Sequence, residues 1–282
     1  MPTITLRDGV EIYYEEFGSG PPIVFTSCGL MTHKQWEHQV SLLAGNFRTV
    51  TYDWCGTGRS SKPNVPYTTD LAVEVLCGLI EGLKITSTTL VGHGVGNHVN
   101  ITAALKRPDL IERLVIASGA PWYHGDHDGV SGGFSEEFMN FWQERMSQRS
   151  MTSAQAYSDL GEYLYYKEPH PALAHYSFEQ AFEWPLYVFK SYTADMNALD
   201  LRPAAAALSC PTLVLHGRHD KKQRYGGGVY FSRHIPGARM VTFEESAHMI
   251  MLEEMGRFSD EVAKFALERA QKGAGEKIRN VA

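Results

Sequence analysis

Short apolar runs alternate along the chain with stretches whose apolar residues recur every three or four positions. Residues 3–6 and 11–17 flank Asp8-Gly9 and read as an antiparallel hairpin. Residues 22–27 (PIVFTS, after Pro21) form a nearly continuous apolar run, as a strand buried on both faces requires. Further strands are expected at 48–52, 88–91, 114–117, 212–215 and 240–243. Helical spacing marks 33–43, 68–83, 97–105 and 255–270. In the second of these the apolar positions are Leu71, Val75, Leu76, Leu79, Ile80 and Leu83. A hairpin followed by repeated βα units predicts an α/β fold: a mostly parallel eight-stranded sheet with helices on both faces. Ligands of such sheets bind at the carboxyl ends of the strands.

The alternation breaks after residue 117. About ninety residues with helical patterns (136–148, 153–165, 171–183, 184–192) and no clear strand precede the strand at 212. Residues 121–200 hold 17 of the chain's 32 Phe, Trp and Tyr. Such an insert over the sheet edge reads as a lid around an apolar pocket, with most of its rings holding the lid itself together. The expected division is a core of residues 1–120 and 206–272, a helical lid at 121–205, and a frayed tail at 273–282. Trp184 and Tyr187 are expected among the substrate-facing rings.

With 282 residues and 43% hydrophobic positions, the chain can bury a sizeable core as one sheet with an insertion. A net charge of −6 gives no reason to expect nucleic acid or an anionic membrane as partner. Residues 1–9 show no basic start followed by an apolar run, and nothing approaches the roughly 18 apolar residues of a membrane span. A soluble cytoplasmic chain is therefore expected. The four cysteines (Cys28, Cys55, Cys77, Cys210) include no C-x-x-C pair, which argues against a zinc site and a secreted disulfide scaffold. Cys77 falls in a helical pattern and reads as core. Cys28 and Cys55 end strands on the functional edge of the sheet.

The candidate chemistry starts at Gly92-His93-Gly94-Val95-Gly96, a G-x-nucleophile-x-G pattern between a strand and a helix. A dinucleotide loop would sit at the first βα turn and read G-x-G-x-x-G with a following acid; neither holds. The cluster His124-Gly125-Asp126-His127-Asp128 could suggest a metal, but it lies on a polar, glycine-rich loop of the kind that is usually solvated. No metal and no cofactor are expected.

Four blocks in order resemble the α/β-hydrolase superfamily over residues 3–272, most of all its lidded esterase, lactonase and aminopeptidase-type members. Cys28-Gly29-Leu30-Met31 stands at the oxyanion loop, and Asp53-Trp54-Cys55-Gly56-Thr57-Gly58-Arg59-Ser60 is similar to the family's D-x-R-G-x-G-x-S. Residues 92–96 match the nucleophile elbow. Gly217-Arg218-His219-Asp220 and Glu245-Ser246-Ala247-His248 match the acid and base segments. The resemblance implies His248 as general base, Asp220 as the acid that orients it, and the N–H groups of Leu30 and Val95 as the oxyanion hole.

Two positions depart from the family. Cys28 replaces the oxyanion-loop histidine and is taken as lining the substrate site; as a nucleophile it ranks below the elbow, which is built for that role. Gly94 stands where the nucleophile belongs and has no side chain to attack with. The intact acid, base and flanking glycines favour a removed serine over natural drift, so the chain is expected to be inert and Gly94→Ser to restore activity. The leading expectation is thus a serine-type hydrolase that cleaves a bulky apolar or aromatic ester or lactone through an acyl-enzyme, here without its nucleophile. The alternatives are a C–C bond hydrolase or amidase on the same triad, and a non-hydrolytic ligand-binding receptor on a dead scaffold. The expected partner is a small apolar substrate; the oligomeric state stays open.

Overall fold

Strands β1 (Thr3–Thr5) and β2 (Glu11–Phe17) pair antiparallel at one edge of an eight-stranded sheet. The computed structural model describes residues 2–6, 9–147 and 152–268; Asp8, the lid residue 148, residues 269–270 and the expected tail lie outside them. The other strands are β3 (Pro22–Thr26), β4 (Arg48–Tyr52), β5 (Thr88–His93), β6 (Ile111–Ala117), β7 (Thr212–Gly217) and β8 (Arg239–Phe243). Their spatial order is β1-β2-β4-β3-β5-β6-β7-β8, parallel from β4 onward. Ile23, Val24 and Phe25 of β3 are fully buried, which is why its sequence is an unbroken apolar run: helices cover both faces of the central strands. The chain runs from β3 outward to β4, then returns to place β5 on the other side of β3. The loops after β3 and β5 therefore leave the sheet side by side, at the point where strand order reverses.

A single 3-10 turn (His33–Trp36) leads into α1 (Glu37–Leu43), where the sequence spacing suggests one continuous helix. Helix α2 (Thr69–Gly82) begins where the Thr68 hydroxyl accepts the Leu71 N–H, and buries Ala72, Val73, Val75, Leu76, Leu79 and Ile80 against the sheet. Helix α3 (Gly96–Lys106) follows β5 directly. Between β6 and β7 stand α4 (Glu136–Ser147), α5 (Ser153–Asp159), α6 (Gly161–Leu164), α7 (Pro171–Ala181), α8 (Leu186–Asn197) and α9 (Arg202–Ala207). The helix expected at 153–165 is broken at Leu160, and the one expected from Trp184 starts only at Leu186. Pro185 explains the latter, because it keeps the residue before it out of helical conformation. Helices α10 (Gly226–His234), α11 (Ile250–Glu253) and α12 (Met255–Leu267) complete the order. Among the described residues no helix is long and apolar enough to cross a membrane.

Several buried polar contacts fasten the inserted helices to the sheet edge. The Trp184 indole N–H donates to the Met31 carbonyl at 2.8 Å, and the Tyr192 hydroxyl to the Cys55 carbonyl at 3.1 Å. The N–H groups of His248 and Met249 both donate to the Leu164 carbonyl. Beneath them the Asp53 block organises the loop after β4. The fully buried Asp53 carboxylate accepts from the His33 N–H at 2.9 Å, the His33 ring Nδ1 at 2.7 Å and the Arg59 N–H at 2.9 Å. Removing it leaves these donors without a partner, so Asp53→Ala is expected to cost about 3 kcal/mol. Urea melts should show a lower midpoint at unchanged slope. A variant within about 0.5 kcal/mol of the parent would show that the loop does not depend on the carboxylate.

Candidate active site

Four strand ends supply the site. At the end of β5 the backbone turns at Gly94, whose φ of +55° is a conformation that side chains rarely adopt. The turn is pinned from two sides: the Gly94 N–H donates to the Ala117 carbonyl, and the Asn97 amide donates to the carbonyls of both Gly94 and Ala117. Gly96 opens α3 so close to β3 that a Cβ there would stand 2.6 Å from the Thr26 carbonyl oxygen. Val95, between them, places its N–H at the helix N-terminus, where negative charge is favoured.

At the end of β3 the chain delivers Cys28, buried and with its N–H donating to the Gln35 side-chain carbonyl at 2.9 Å. Its thiol reaches across the reversal point to Gly94. A Cβ built on Gly94 would lie 2.5 Å from Cys28 Sγ and 3.3 Å from His248 Nε2. The thiol thus occupies the place where a side chain at 94 would have to stand. Leu30, two residues on, holds a left-handed φ of 65° although its side chain is buried. That conformation is costly for a residue with a Cβ and is found mainly where a loop is held for function.

Asp220, from the loop after β7, and His248, from the loop after β8, are both buried. His248 Nδ1 lies 2.9 Å from Asp220 Oδ2. The other carboxylate oxygen, Oδ1, accepts the N–H groups of Lys222 and Gln223 at 2.9 and 2.8 Å, so the acid cannot swing away. Burial alone would raise the Asp220 pKa. The charge of His248, with hydrogen bonds from His216 and His248, reverses this and holds the carboxyl well below the usual carboxylate range. Burial likewise works against a charged His248, but the Asp220 carboxylate raises its pKa above the ordinary imidazole value. Cys28 follows the same logic. Burial opposes the thiolate, but the Lys222 ammonium, His248 and the Val95 N–H together bring the thiol down to about 6.

Three further residues complete the site; His93 lies within the elbow pattern, while Lys222 and Gln35 belong to no motif. Lys222 Nζ lies 3.4 Å from His248 Nε2 and 3.8 Å from Cys28 Sγ. In the sequence it belongs to a Lys-Lys-Gln-Arg run that reads as an exposed charged loop. Gln35 accepts from the Cys28 N–H and donates through Nε2 to His93 Nδ1 at 3.0 Å, and His93 Nε2 donates to the His248 carbonyl at 3.0 Å. Burial, reinforced by His248 and Lys222, keeps His93 neutral, as a ring that accepts at one nitrogen and donates at the other must be. Cys28, His93 and His248 also bring one potential ligand atom each within 4.8 Å of one another, the closest approach to a metal-binding group among the described residues. Both His93 nitrogens are already committed, however, and the Lys222 ammonium stands beside the other two ligand atoms. The His124–Asp128 loop lies elsewhere, with Asp126 paired to Arg224 and Ser131, and Asp128 to Arg202.

A narrow cavity of about 50 Å³ opens above the thiol, walled by Tyr123, Phe134, Phe138, Trp142, Leu160 and Phe189 and touched by Leu30, Val95 and Lys222. Trp184 and Tyr187 do not line it, contrary to the sequence expectation. Trp184 is buried against Trp54 and Tyr192 while its N–H is spent on Met31, and Tyr187 is 60% exposed beside Tyr67. A larger, more open cleft between Tyr165, Tyr166, Lys167, Pro169, His175 and Phe178 touches none of Cys28, Asp220 and His248. The smaller cavity is therefore the one connected to the chemistry.

A family model for the alpha/beta hydrolase fold matches residues 21–255. The chain is 26% identical over 266 residues to the AB hydrolase superfamily protein YisY of Bacillus subtilis (strain 168), a match covering 93% of this chain and 98% of that one. It is 25% identical over 273 residues to the 2-hydroxymuconate semialdehyde hydrolase of Pseudomonas sp. (strain CF600), covering 92% of each. Among solved structures, the esterase EaEST from Exiguobacterium antarcticum superposes with a TM-score of 0.87 at 23% identity, over 94% of this chain and 99% of that one.

A side chain at position 94 meets both a left-handed backbone and the Cys28 sulfur, which would have to rotate aside. Gly94→Ser is therefore expected to lose at least about 1–3 kcal/mol of stability, the strain of the turn alone. It should gain no hydrolytic activity over the parent. Thermal or urea melts of the two forms, run beside an ester assay, check both statements. A serine form that is more stable and more active would restore the deleted-serine reading.

Proposed function

From the premise that the chain belongs to the α/β-hydrolase fold family, we propose that it hydrolyses an ester or lactone with a bulky, apolar or aromatic body. The observation that carries this is the buried His248–Asp220 pair beside Cys28, whose thiol lines a ring-walled cavity. The pair is suited to moving a proton: Asp220 fixes Nδ1, which leaves Nε2, beside the cavity-lining Cys28 and Lys222, to take a proton from an attacking group and return it to a leaving one. The N–H of Val95 at the start of α3, with that of Leu30, would stabilise the negative oxygen of the tetrahedral intermediate.

The cavity supports the substrate class. Its walls are almost wholly aromatic and aliphatic, so an apolar body gains by entering it, at roughly 25 cal/mol per Å² removed from water. One of its wall hydroxyls is informative. Tyr123 Oη is buried with no hydrogen-bond partner, and a substrate with a carbonyl or hydroxyl beyond its scissile bond would satisfy it. Of the inserted helices, α4 and α8 supply wall residues such as Phe138, Trp142 and Phe189, and act as the lid over this volume. That the relatives include an enzyme named for a semialdehyde rather than an ester supports a second reading, C–C bond hydrolysis of an activated ketone by the same pair.

A panel of aryl esters, aliphatic lactones and 1,3-diketones separates these readings through the products released. The parent chain is expected to turn over bulky aryl esters or lactones faster than acetates. His248→Gln should lower kcat/KM by roughly 10³-fold or more. Tight binding without turnover across the whole panel would mean a receptor built on the hydrolase scaffold.

A further inference from the structure

We propose that Cys28 is the nucleophile of this hydrolase, reaching from the loop after β3 into the place that a side chain at position 94 would fill. The inference rests on the hydrolase reading above and assigns the attacking atom within it. Three independent features of the geometry converge on the thiol. First, space: a Cβ built on Gly94 would lie 2.5 Å from Cys28 Sγ, so the thiol as placed fills the room beside the glycine, and a side chain at 94 would require it to rotate away. Second, the base: His248 Nε2 faces that position, and its distance of 3.3 Å from the missing Cβ shows that it is aimed where the sulfur now stands. Third, charge: the Lys222 ammonium lies 3.8 Å from Sγ and 3.4 Å from Nε2. A half-buried ammonium so close to a ring that must accept a proton is unfavourable unless an anion lies beside both, and Cys28 is the group placed to supply it. The cavity opens directly onto the thiol.

The reaction balances without a further reactant beyond water. The thiol proton passes to His248 Nε2, and the Cys28 thiolate attacks the acyl carbon, displacing the carbonyl π pair onto oxygen. That pair returns as the bond from acyl carbon to alkoxide oxygen breaks. His248 gives its proton to the departing alkoxide, which leaves a thioester on Cys28. A water then loses a proton to His248 and attacks the thioester. The sulfur–carbon bond breaks, the acid departs, and the thiolate is regenerated between Lys222 and His248. Before and after the first proton transfer the charges of Cys28, His248, Lys222 and Asp220 sum to zero, so burial does not oppose the transfer through net charge. Lys222 does not touch the scissile bond; it is a positioning residue that holds the sulfur ionised.

The other three cysteines are pushed the opposite way by burial, Cys55 up to about 11, so the ionisation of Cys28 can be followed alone. The test is thiolate absorbance near 240 nm against pH for the full chain, together with ester hydrolysis, in the parent, Cys28→Ala, Cys28→Ser, Lys222→Gln and His248→Gln forms. The parent should show one thiolate step with a midpoint near 6, below the ordinary thiol value of 9, and activity rising through the same pH. The step should vanish in Cys28→Ala and move upward in Lys222→Gln, with the lower limb of the activity profile moving with it. Cys28→Ala should lose roughly 10³-fold or more in kcat/KM, while circular dichroism shows a folded chain. If Cys28→Ala keeps activity within threefold of the parent and His248→Gln loses it, water is the nucleophile: the inference fails and the hydrolase reading stands. A parent that turns over no ester, lactone or diketone overturns both. Stoichiometric zinc in the purified chain, with activity lost on chelation, would also overturn the inference, making Cys28, His93 and His248 ligands instead.

Discussion

The site depends on a space that holds one side chain and is reached by two strand ends. Because strand order reverses between β3 and β5, the loops that follow them leave the sheet next to each other, and each could place a residue over the ends of the strands. The turn at Gly94 is held at φ +55° by hydrogen bonds to Ala117 and Asn97, and the start of α3 is pressed against Thr26. A fold of this kind can place a nucleophile from the β5 turn or from the β3 loop. Here the β5 turn has given up its side chain and the β3 loop supplies a sulfur.

Around that space the polar groups are joined in one continuous chain. Cys28 is tied through Gln35 and His93 to the backbone of His248, and His248 through its ring to Asp220, which in turn accepts from the backbone of Lys222 and Gln223. Each link is buried, where an unpartnered donor or acceptor costs about 1–3 kcal/mol, so the loops after β3, β5, β7 and β8 hold one another in register. The same burial makes the charges count. In the low dielectric of the interior, Lys222, His248 and the Val95 N–H together outweigh the desolvation that would otherwise keep the sulfur protonated. A charged, connected cluster under a dry, ring-walled cavity suits a reaction in which charge moves while the walls stay still.

Much of the fold was legible in the sequence because buried parallel strands and amphipathic helices have distinct periods. Ile23-Val24-Phe25 could only be interior, and the apolar spacing of α2 points one face at the sheet. Turn chemistry set the limits: Pro185 moved the start of α8, and the run at 153–165 was broken at Leu160. Asp220 and His248 stood out because they lie in short segments of recognisable pattern. Cys28 was visible as a departure in the oxyanion loop, but its reach to Gly94 was not, since a residue at the end of one strand gives no sign of reaching the turn after another. That proximity is a property of strand order. The roles of Lys222, Gln35 and His93 were silent for the same reason. The lid aromatics were misjudged because packing residues and pocket residues share one composition, and Trp184 proved to be the former.

The most direct measurement of whether the sulfur does the attacking is the covalent state of the enzyme during turnover. The parent chain mixed with an excess of a bulky aryl ester, quenched in acid within the first turnover and digested, should yield one peptide heavier by the acyl group. Fragmentation should place that mass on Cys28, and neutral hydroxylamine should remove it, as it removes a thioester. Hydrolysis that proceeds at full rate with no acyl mass on Cys28, or with the mass on another residue, would contradict it.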